Sequence, residues 1–263
     1  MTIPYEPRRF QSTAAYYLDH RVPYPDALIA QIAGRTGLKA GDGLLDLGCG
    51  PGQLAIAFAK LGARVTAMDP EPEMLEAARG HAEAERVAIT LRQGSSYDLG
   101  AGFGPFKLVV MGRSFHWMDR PATLAVLDTL IVPGGAVVLF NDRNITASAD
   151  WRAIIRELGE KFSPERTADR RQHRGPDWEV SESVLLDSPF SELERIGIVR
   201  KRRLTADDIV GRALSMSVTS PQALGAQRQP FEAALRAELH RLAPDGGFTE
   251  TVEANGLIAF RPG

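Results

Sequence analysis

Ten residues constrain this chain more than any others: Leu44-Leu45-Asp46-Leu47-Gly48-Cys49-Gly50-Pro51-Gly52-Gln53. An apolar run carries an acid, alternating glycines follow, and a helix-compatible segment, Gln53 to Leu61, comes next. That order reads as strand, tight turn and helix. In an open α/β sheet, ligands lie beyond the carboxyl ends of the strands, at such a turn. Gly48 and Gly50 lack a Cβ, so the backbone can pass close beneath a ligand. The helix that follows offers unpaired N–H groups to a carboxylate or a phosphate.

The rest of the N-terminal half repeats the alternation. Arg9 to Leu18 suits a short helix, and Pro25 suits the start of a second over Asp26 to Thr36. Strands are expected at Gly43–Leu47, Arg64–Met68, Val87–Arg92, Phe106–Met111 and Ala136–Phe140. Helices are expected at Gln53–Leu61, Glu73–Glu85 and Pro121–Leu130, with a turn at Pro133-Gly134-Gly135. Strands alternating with helices predict an α/β fold, doubly wound about a mainly parallel sheet with right-handed crossovers. After Asn141 the rhythm changes. Helical signals at Ala149–Phe162, Ile209–Met216 (capped by Thr205) and Arg228–Leu242 are interleaved with strand-like Leu193–Arg200 and Gly256–Phe260. These imply a mostly helical cap over the carboxyl edge of the sheet. The expected organisation is an N-terminal lid and first helix in residues 1–40, a ligand-binding core in 41–140, and in 141–263 the cap plus the last strands of a seven-stranded sheet.

Composition narrows the function classes. The chain has 263 residues, and its net charge of −2 lacks the basic excess of a nucleic-acid binder. Cys49 is the single cysteine, so no intrachain disulfide is possible, which suits a reducing cytoplasm. No run of about 18 apolar residues occurs, and Met1 to Phe10 is polar and proline-broken, so neither a membrane span nor a signal peptide is expected. The five histidines show no metal-ligand spacing, and no metal is expected.

Two nucleotide classes use the glycine turn. The dinucleotide pattern G-x-G-x-x-G, counted from Gly48, puts its third glycine at Gln53, whereas here it stands one place early at Gly52. Read as D-x-G-x-G-x-G, the stretch LDLGCGPG resembles the first motif of the class I S-adenosylmethionine-dependent methyltransferases. The resemblance runs from about Phe10 to Phe140. It implies a Rossmann-like fold, S-adenosylmethionine as cofactor and a small-molecule methyl acceptor. Asp46, Gly48, Cys49, Gly50, Gly52 and Gln53 then form the cofactor turn. Asp69, ending the second strand before Pro70, is placed to accept from the ribose hydroxyls. Met74, Ser95, Ser96 and Tyr97 flank the adenine. The family commonly has an acid just after Gly94, where this chain has Ser95, whose hydroxyl can also accept.

Arg21-Val22-Pro23-Tyr24-Pro25 is similar to the R-x-x-Y-P stretch of a methyltransferase type 11-like subgroup that includes trans-aconitate methyltransferase-like enzymes. By that resemblance Arg21 pairs with the methionyl carboxylate, and Tyr16, Tyr17 and Tyr24 are lid residues. Arg113-Ser114-Phe115-His116-Trp117 follows the fourth strand and carries the His-Trp pair of the same subgroup. Arg113, Ser114 and His116 are expected to face the reaction centre, with His116 taking a proton from the acceptor or orienting it. Trp151, Phe162 and Trp178 are read as the cap's own core. Two basic runs, Arg166/Arg170/Arg171/His173/Arg174 and Arg200–Arg203, read as solvated surface or as an attractor of anionic acceptors. An NAD-dependent oxidoreductase, a non-catalytic cofactor-binding regulator and a nucleic-acid methyltransferase remain the alternatives.

Overall fold

The computed structural model describes residues 11–100, 102–147, 151–172 and 178–263. Met1 to Phe10, His173 and Arg174 lie outside them. After a 3-10 turn at Gln11–Thr13 the elements run α1 (Ala14–His20), α2 (Asp26–Thr36), β1 (Gly43–Leu47), α3 (Gln53–Lys60), β2 (Arg64–Asp69), α4 (Pro72–Ala84), β3 (Thr90–Gln93), β4 (Phe106–Gly112), α5 (Arg120–Leu130) and β5 (Ile131–Ala147). Then come α6 (Trp151–Phe162), α7 (Pro164–Gln172), α8 (Ser181–Leu186), β6 (Glu192–Leu204), α9 (Ala206–Leu214), α10 (Pro221–Leu224), α11 (Arg228–Leu242) and β7 (Phe248–Phe260).

One seven-stranded sheet has the order β3-β2-β1-β4-β5-β7-β6. Strands β1 to β5 pair in parallel, and β7 runs antiparallel to both neighbours. The strand order reverses between β1 and β4, which opens the crevice where such sheets bind ligands. β1 is buried along its whole length, as a central strand covered on both faces must be. On one face α2 and α3 bury Leu28, Ile32, Leu54 and Phe58 against Leu44, Val110 and Phe140. On the other, α5 and α8 bury Leu124, Leu127 and Leu185 against Leu45, Val109 and Leu139.

Several boundaries differ from expectation, each for a local reason. β3 begins at Thr90 rather than Val87, because Arg86 takes a left-handed conformation (φ 55°) that ends α4 and uses the next residues to leave it. Pro133-Gly134-Gly135 is not a turn before the fifth strand but a bend inside it. Ile131 already pairs with Phe106, and the register slips before Ala136 meets Leu108. A Cβ on Gly135 would stand 2.7 Å from the Lys107 carbonyl oxygen, so this close crossing requires glycine.

The larger correction is at the far end of β5. The strand does not stop at Phe140, which pairs with Gly112 at the end of β4. It continues through Asn141–Ala147 alongside β7. At ~3.3 Å per residue this overhang projects roughly 20 Å past the parallel strands. Helices α6, α9 and α11 pack there around a third core of Trp151, Ile155, Ile209, Leu214, Phe231 and Leu235. The cap is therefore mounted on an extension of the sheet itself. Thr205 caps α9 as expected, through a reciprocal capping box with Asp208. Trp151 belongs to the cap core, with Phe162 packed at its margin, edge-on to Phe231. Trp178 instead lies under the Arg120 guanidinium. Among the described residues, no helix is long and apolar enough to cross a membrane.

Candidate active site

A cavity of about 410 Å3 opens at the carboxyl ends of β1, β2 and β4. Every residue assigned from the sequence to the cofactor or the reaction centre lines it except Gly52. Gly52 has φ 80° at the start of α3, and a Cβ there would meet Ala78 of α4 at 3.2 Å. Its part is the packing of two helices, not the cavity wall.

The floor is the turn after β1. The Gly48 and Cys49 N–H groups donate to the Met68 carbonyl (2.8 and 3.0 Å), which ties the turn to β2. Gly48 and Gly50 have φ 70° and 53°, values that glycine adopts without strain. A Cβ on Gly48 would lie 2.5 Å from the Ser114 Cβ. The Ser114 hydroxyl donates to the Leu47 carbonyl at 2.7 Å, so it fastens the loop after β4 onto this turn rather than pointing at a ligand. Cys49 is buried, and burial pushes its thiol well above the ordinary range, which leaves it inert.

Two acids stand at the strand ends. The Asp69 carboxylate accepts from the Gly50 N–H (2.8 Å) and the Glu71 N–H (3.0 Å). Burial raises its pKa to about 6, against the pull of those donors. Each oxygen keeps a further acceptor site for a ligand hydroxyl. Asp46 accepts from the Ala55 N–H through one oxygen, while the other is buried and unpartnered, and burial raises its pKa to about 7. Gln53 adds a second unpartnered buried oxygen in the same wall. Beyond them lie buried Met74 and Ser96. Ser95 does not simply replace the missing acid: Asp98 reaches back to the Ser95 N–H and hydroxyl (2.8 and 2.9 Å), so an acid three residues later buttresses this loop. Tyr97 is 57% exposed and forms the outer rim.

The opposite wall comes from the lid and the cap. Arg21 donates to the Ser215 carbonyl at the end of α9 (2.8 Å) and lies over the Tyr17 ring. Its Nε is buried without a partner. Arg113, expected to face the reaction centre, lines the cavity, and its side chain also braces the lid. It takes a left-handed backbone (φ 58°), donates to the Val22 carbonyl and to Asp142 (both 2.6 Å), and stacks on Tyr24. Tyr17 and Tyr24 line the cavity; Tyr16 does not, and its hydroxyl accepts from Arg228 at 2.7 Å against the cap. His116 lies on a 3-10 turn, packed on Trp117 at 4.8 Å between ring centroids, and both face the cavity.

Glu71, Asn141, Asp142, Met216 and Ser217 also line the cavity and were not anticipated. Glu71 is 2% exposed, two residues after Asp69, and occupies the N-cap position of α4 without capping it. A glutamate, not a favoured N-cap residue, directly before the Pro72 that opens α4 is the signal that was there to be read. Asn141 and Asp142 enter only because β5 overruns β4. Met216 and Ser217 enter only because α9 packs against α1, and no local pattern announces either.

Comparison with known proteins agrees with this geometry. Residues 44–135 match the family model described as a methyltransferase domain. Over 134 residues the chain is 33% identical to a ubiquinone biosynthesis O-methyltransferase of Methylocella silvestris, covering 51% of this chain and 52% of that protein. The chain thus spans about half the length of the first curated relatives it matches. It is 27% identical over 215 residues to an uncharacterised methyltransferase of Mycobacterium tuberculosis, covering 81% and 79% of the two chains. In fold it resembles a methyltransferase structure from Thiobacillus denitrificans solved with S-adenosyl-L-homocysteine, with a TM-score of 0.54 at 18% identity over 97% and 99% of the chains. Residues 44–135 thus match a methyltransferase domain, and the strand order and the glycine turn with its acid on β2 are similar to those of the class I S-adenosylmethionine-dependent methyltransferases.

Proposed function

We propose that this chain transfers the methyl group of S-adenosylmethionine to a small-molecule acceptor. The observation that carries the reading is one cavity joining an apolar slot, a hydroxyl-accepting acid and a buried cation with a spare donor, the three partners that a nucleoside linked to an amino acid requires: Met74, Asp69 and Arg21. When bound, S-adenosylmethionine supplies an electrophilic methyl group, and the protein binds, aligns and shields. In this reading Asp69 accepts from the ribose hydroxyls. Met74, Pro70, Ser95, Ser96 and Tyr97 hold the adenine. Arg21 takes the carboxylate through its unpartnered Nε, while Gly48, Cys49, Gly50, Asp46 and Gln53 shape the floor.

Asp46 has a role beyond shape. With a pKa near 7 it holds either charge state at neutral pH, and its unpartnered oxygen accepts from a cationic donor when ionised. His116 and Trp117 line the cavity from the turn after β4. There His116 removes or steers the proton of an acceptor hydroxyl, worth about 10²–10⁴ in rate if it acts as a base. The relatives named for O-methylation support an oxygen acceptor. Arg113 acts indirectly, by holding the lid residue Val22 against the β5 overhang. We further propose that residues 41–140 form the cofactor-binding core, with the lid (1–40) and the cap (141–263) closing it. Alignment and exclusion of water then supply most of the acceleration.

Methyl-labelled S-adenosylmethionine incubated with the protein and a panel of phenols and hydroxy acids tests the reading. Label should appear in an acceptor, and His116→Ala should lower the rate by at least about tenfold. Label confined to S-adenosylmethionine and its breakdown products across the panel would contradict it.

A further inference from the structure

A second cavity, of about 430 Å3, adjoins the first and shares Arg21, Asp142 and Met216 with it. Part of its wall is apolar: Trp151 and Ile155 from α6, Val218 after α9, and Val22 from the lid. Arg152, Arg156 and Arg212 stand among them.

The charge at this corner does not balance. Glu250, 0% exposed on β7, is the acid behind the cavity, and three guanidiniums converge on it: Arg152 (2.5 Å), Arg212 (2.9 and 3.0 Å) and Arg202 (3.2 Å). Asp142, the acid shared by the two cavities, is held by Arg113. Arg156 and Glu160 oppose one another in sign on the same helix wall. A surplus of positive charge therefore gathers at this corner, on Arg212, which is buried, and on Arg152 and Arg202, which are half-buried. Arg212 is fully engaged, since its Nε also donates to the His20 carbonyl. Arg152 is not: its Nη1 is buried with no hydrogen-bond partner. Burial holds Arg152 and Arg202 below the ordinary arginine value, and Arg212 pushes both the same way, so the field disfavours further positive charge there. Buried polar groups are nearly always satisfied, and a buried guanidinium N–H without an acceptor marks a place for one. A carboxylate is its strongest match.

We propose, building on the methyltransferase reading, that this second cavity is the acceptor site and that its acceptor is an amphipathic organic anion. Arg152 grips the carboxylate. The apolar body packs on Trp151, Ile155 and Val218, and the acceptor reaches the first cavity past Met216 and Arg21. The three-to-one arrangement at Glu250 is what keeps this grip available. A single arginine would be neutralised by its glutamate, whereas here Arg202 and Arg212 hold Glu250 and leave Arg152 a donor to spare.

The test titrates the full chain, saturated with S-adenosylhomocysteine, with phenylacetate, neutral phenylacetamide and cationic phenethylamine, followed by amide NMR shifts. Phenylacetate should bind at least about tenfold tighter than phenylacetamide, as expected for one charge-assisted hydrogen bond. Phenethylamine should bind weakest of the three. Arg152→Gln should bring phenylacetate to the level of the amide while S-adenosylhomocysteine affinity stays within about twofold. Equal affinities for phenylacetate and phenylacetamide, no shifts with any probe, or phenylacetate binding untouched in the variant would each overturn the proposal. If Arg152→Gln does not fold, the ratio measured on the unaltered protein still decides. If S-adenosylhomocysteine itself fails to bind, the cofactor reading falls instead. The same pair of probes on the chain alone then judges the anion site separately.

Discussion

The two walls of the cavity are built by opposite means. The wall made by β1, β2 and their turns is local: Asp46 bonds to Ala55, Asp69 to Gly50 and Glu71, and Ser95 to Asp98. The wall made by the lid and cap is assembled across the chain, with Arg21 on Ser215 and Arg113 on Val22, and the adjoining second cavity continues it with Arg152 and Arg212 on Glu250. The first wall presents acids raised toward neutrality by burial, and the second presents arginines in excess. On the proposed reading, in which one wall takes the cofactor and the other the acceptor, there is reason to divide the work this way. The cofactor wall needs a contiguous motif, whereas the acceptor wall can change through the cap without disturbing it.

The largest expected effect lies on the cap side. Glu250→Gln would leave Arg212 buried, and Arg152 and Arg202 half-buried, without their shared carboxylate. Losing one partner of a buried ionic cluster typically costs about 3–5 kcal/mol. Urea unfolding should show a loss of that size; a loss near zero would mean that the arginines tolerate one another and that the cluster does not hold the cap. The arginines also keep the Glu250 pKa below its ordinary 4.5 despite burial. Its contribution is therefore complete above pH 4.5 and disappears as pH falls through the depressed folded value.

On the cofactor side Gly48→Ala is the severest single change. It forces a left-handed Ala, at about 1–2 kcal/mol, and drives its Cβ into Ser114. Calorimetry should find S-adenosylmethionine binding weakened by at least about tenfold. Unchanged affinity would show that the turn can shift, and that its close approach to the β4 loop is unimportant.

Asp46 sharpens the contrast through pH. Its folded pKa, near 7, lies above the ordinary 3.8, so the folded state holds the proton longer than the unfolded chain does. The stability this group contributes is thus greatest at low pH and declines as pH rises from about 4 to 7, opposite in sign to Glu250. Asp46→Asn should flatten that decline in thermal melts of the protein without ligand. A slope identical to that of the unaltered protein would contradict the assignment. Smallest of all, Tyr16→Phe removes one hydrogen bond to Arg228. It should lower stability by about 0.5–1.5 kcal/mol and leave cofactor affinity alone, because Tyr16 belongs to the cap rather than the cavity.

The same division explains what could be read in advance. Asp46, Gly48, Gly50, Asp69 and Met74 sit in continuous strand–turn–helix units, where side-chain type and spacing already imply position. The lining of the far wall could be named in advance only at Arg21, Tyr17, Tyr24, His116 and Trp117. Arg113 was legible as a residue of the site loop but not in its role, because nothing near it in the chain says that Val22 and Asp142 will meet its guanidinium. Glu250 and Arg152 were invisible, being ordinary charges 98 residues apart whose meeting depends on the β5 overhang. That overhang was missed because Asn141 to Ala147 is polar. A strand that leaves the sheet core to carry a cap loses the apolar run that normally identifies it.

The central claim is that the glycine turn and Asp69 bind S-adenosylmethionine, and a calorimetric titration tests it most directly. The protein should bind S-adenosylmethionine and not NADH, and Asp69→Asn should weaken that binding by about 1.5–3 kcal/mol, the worth of a hydrogen bond to a charged group. Absence of binding, a preference for NADH, or full affinity in the variant would contradict the account at its base.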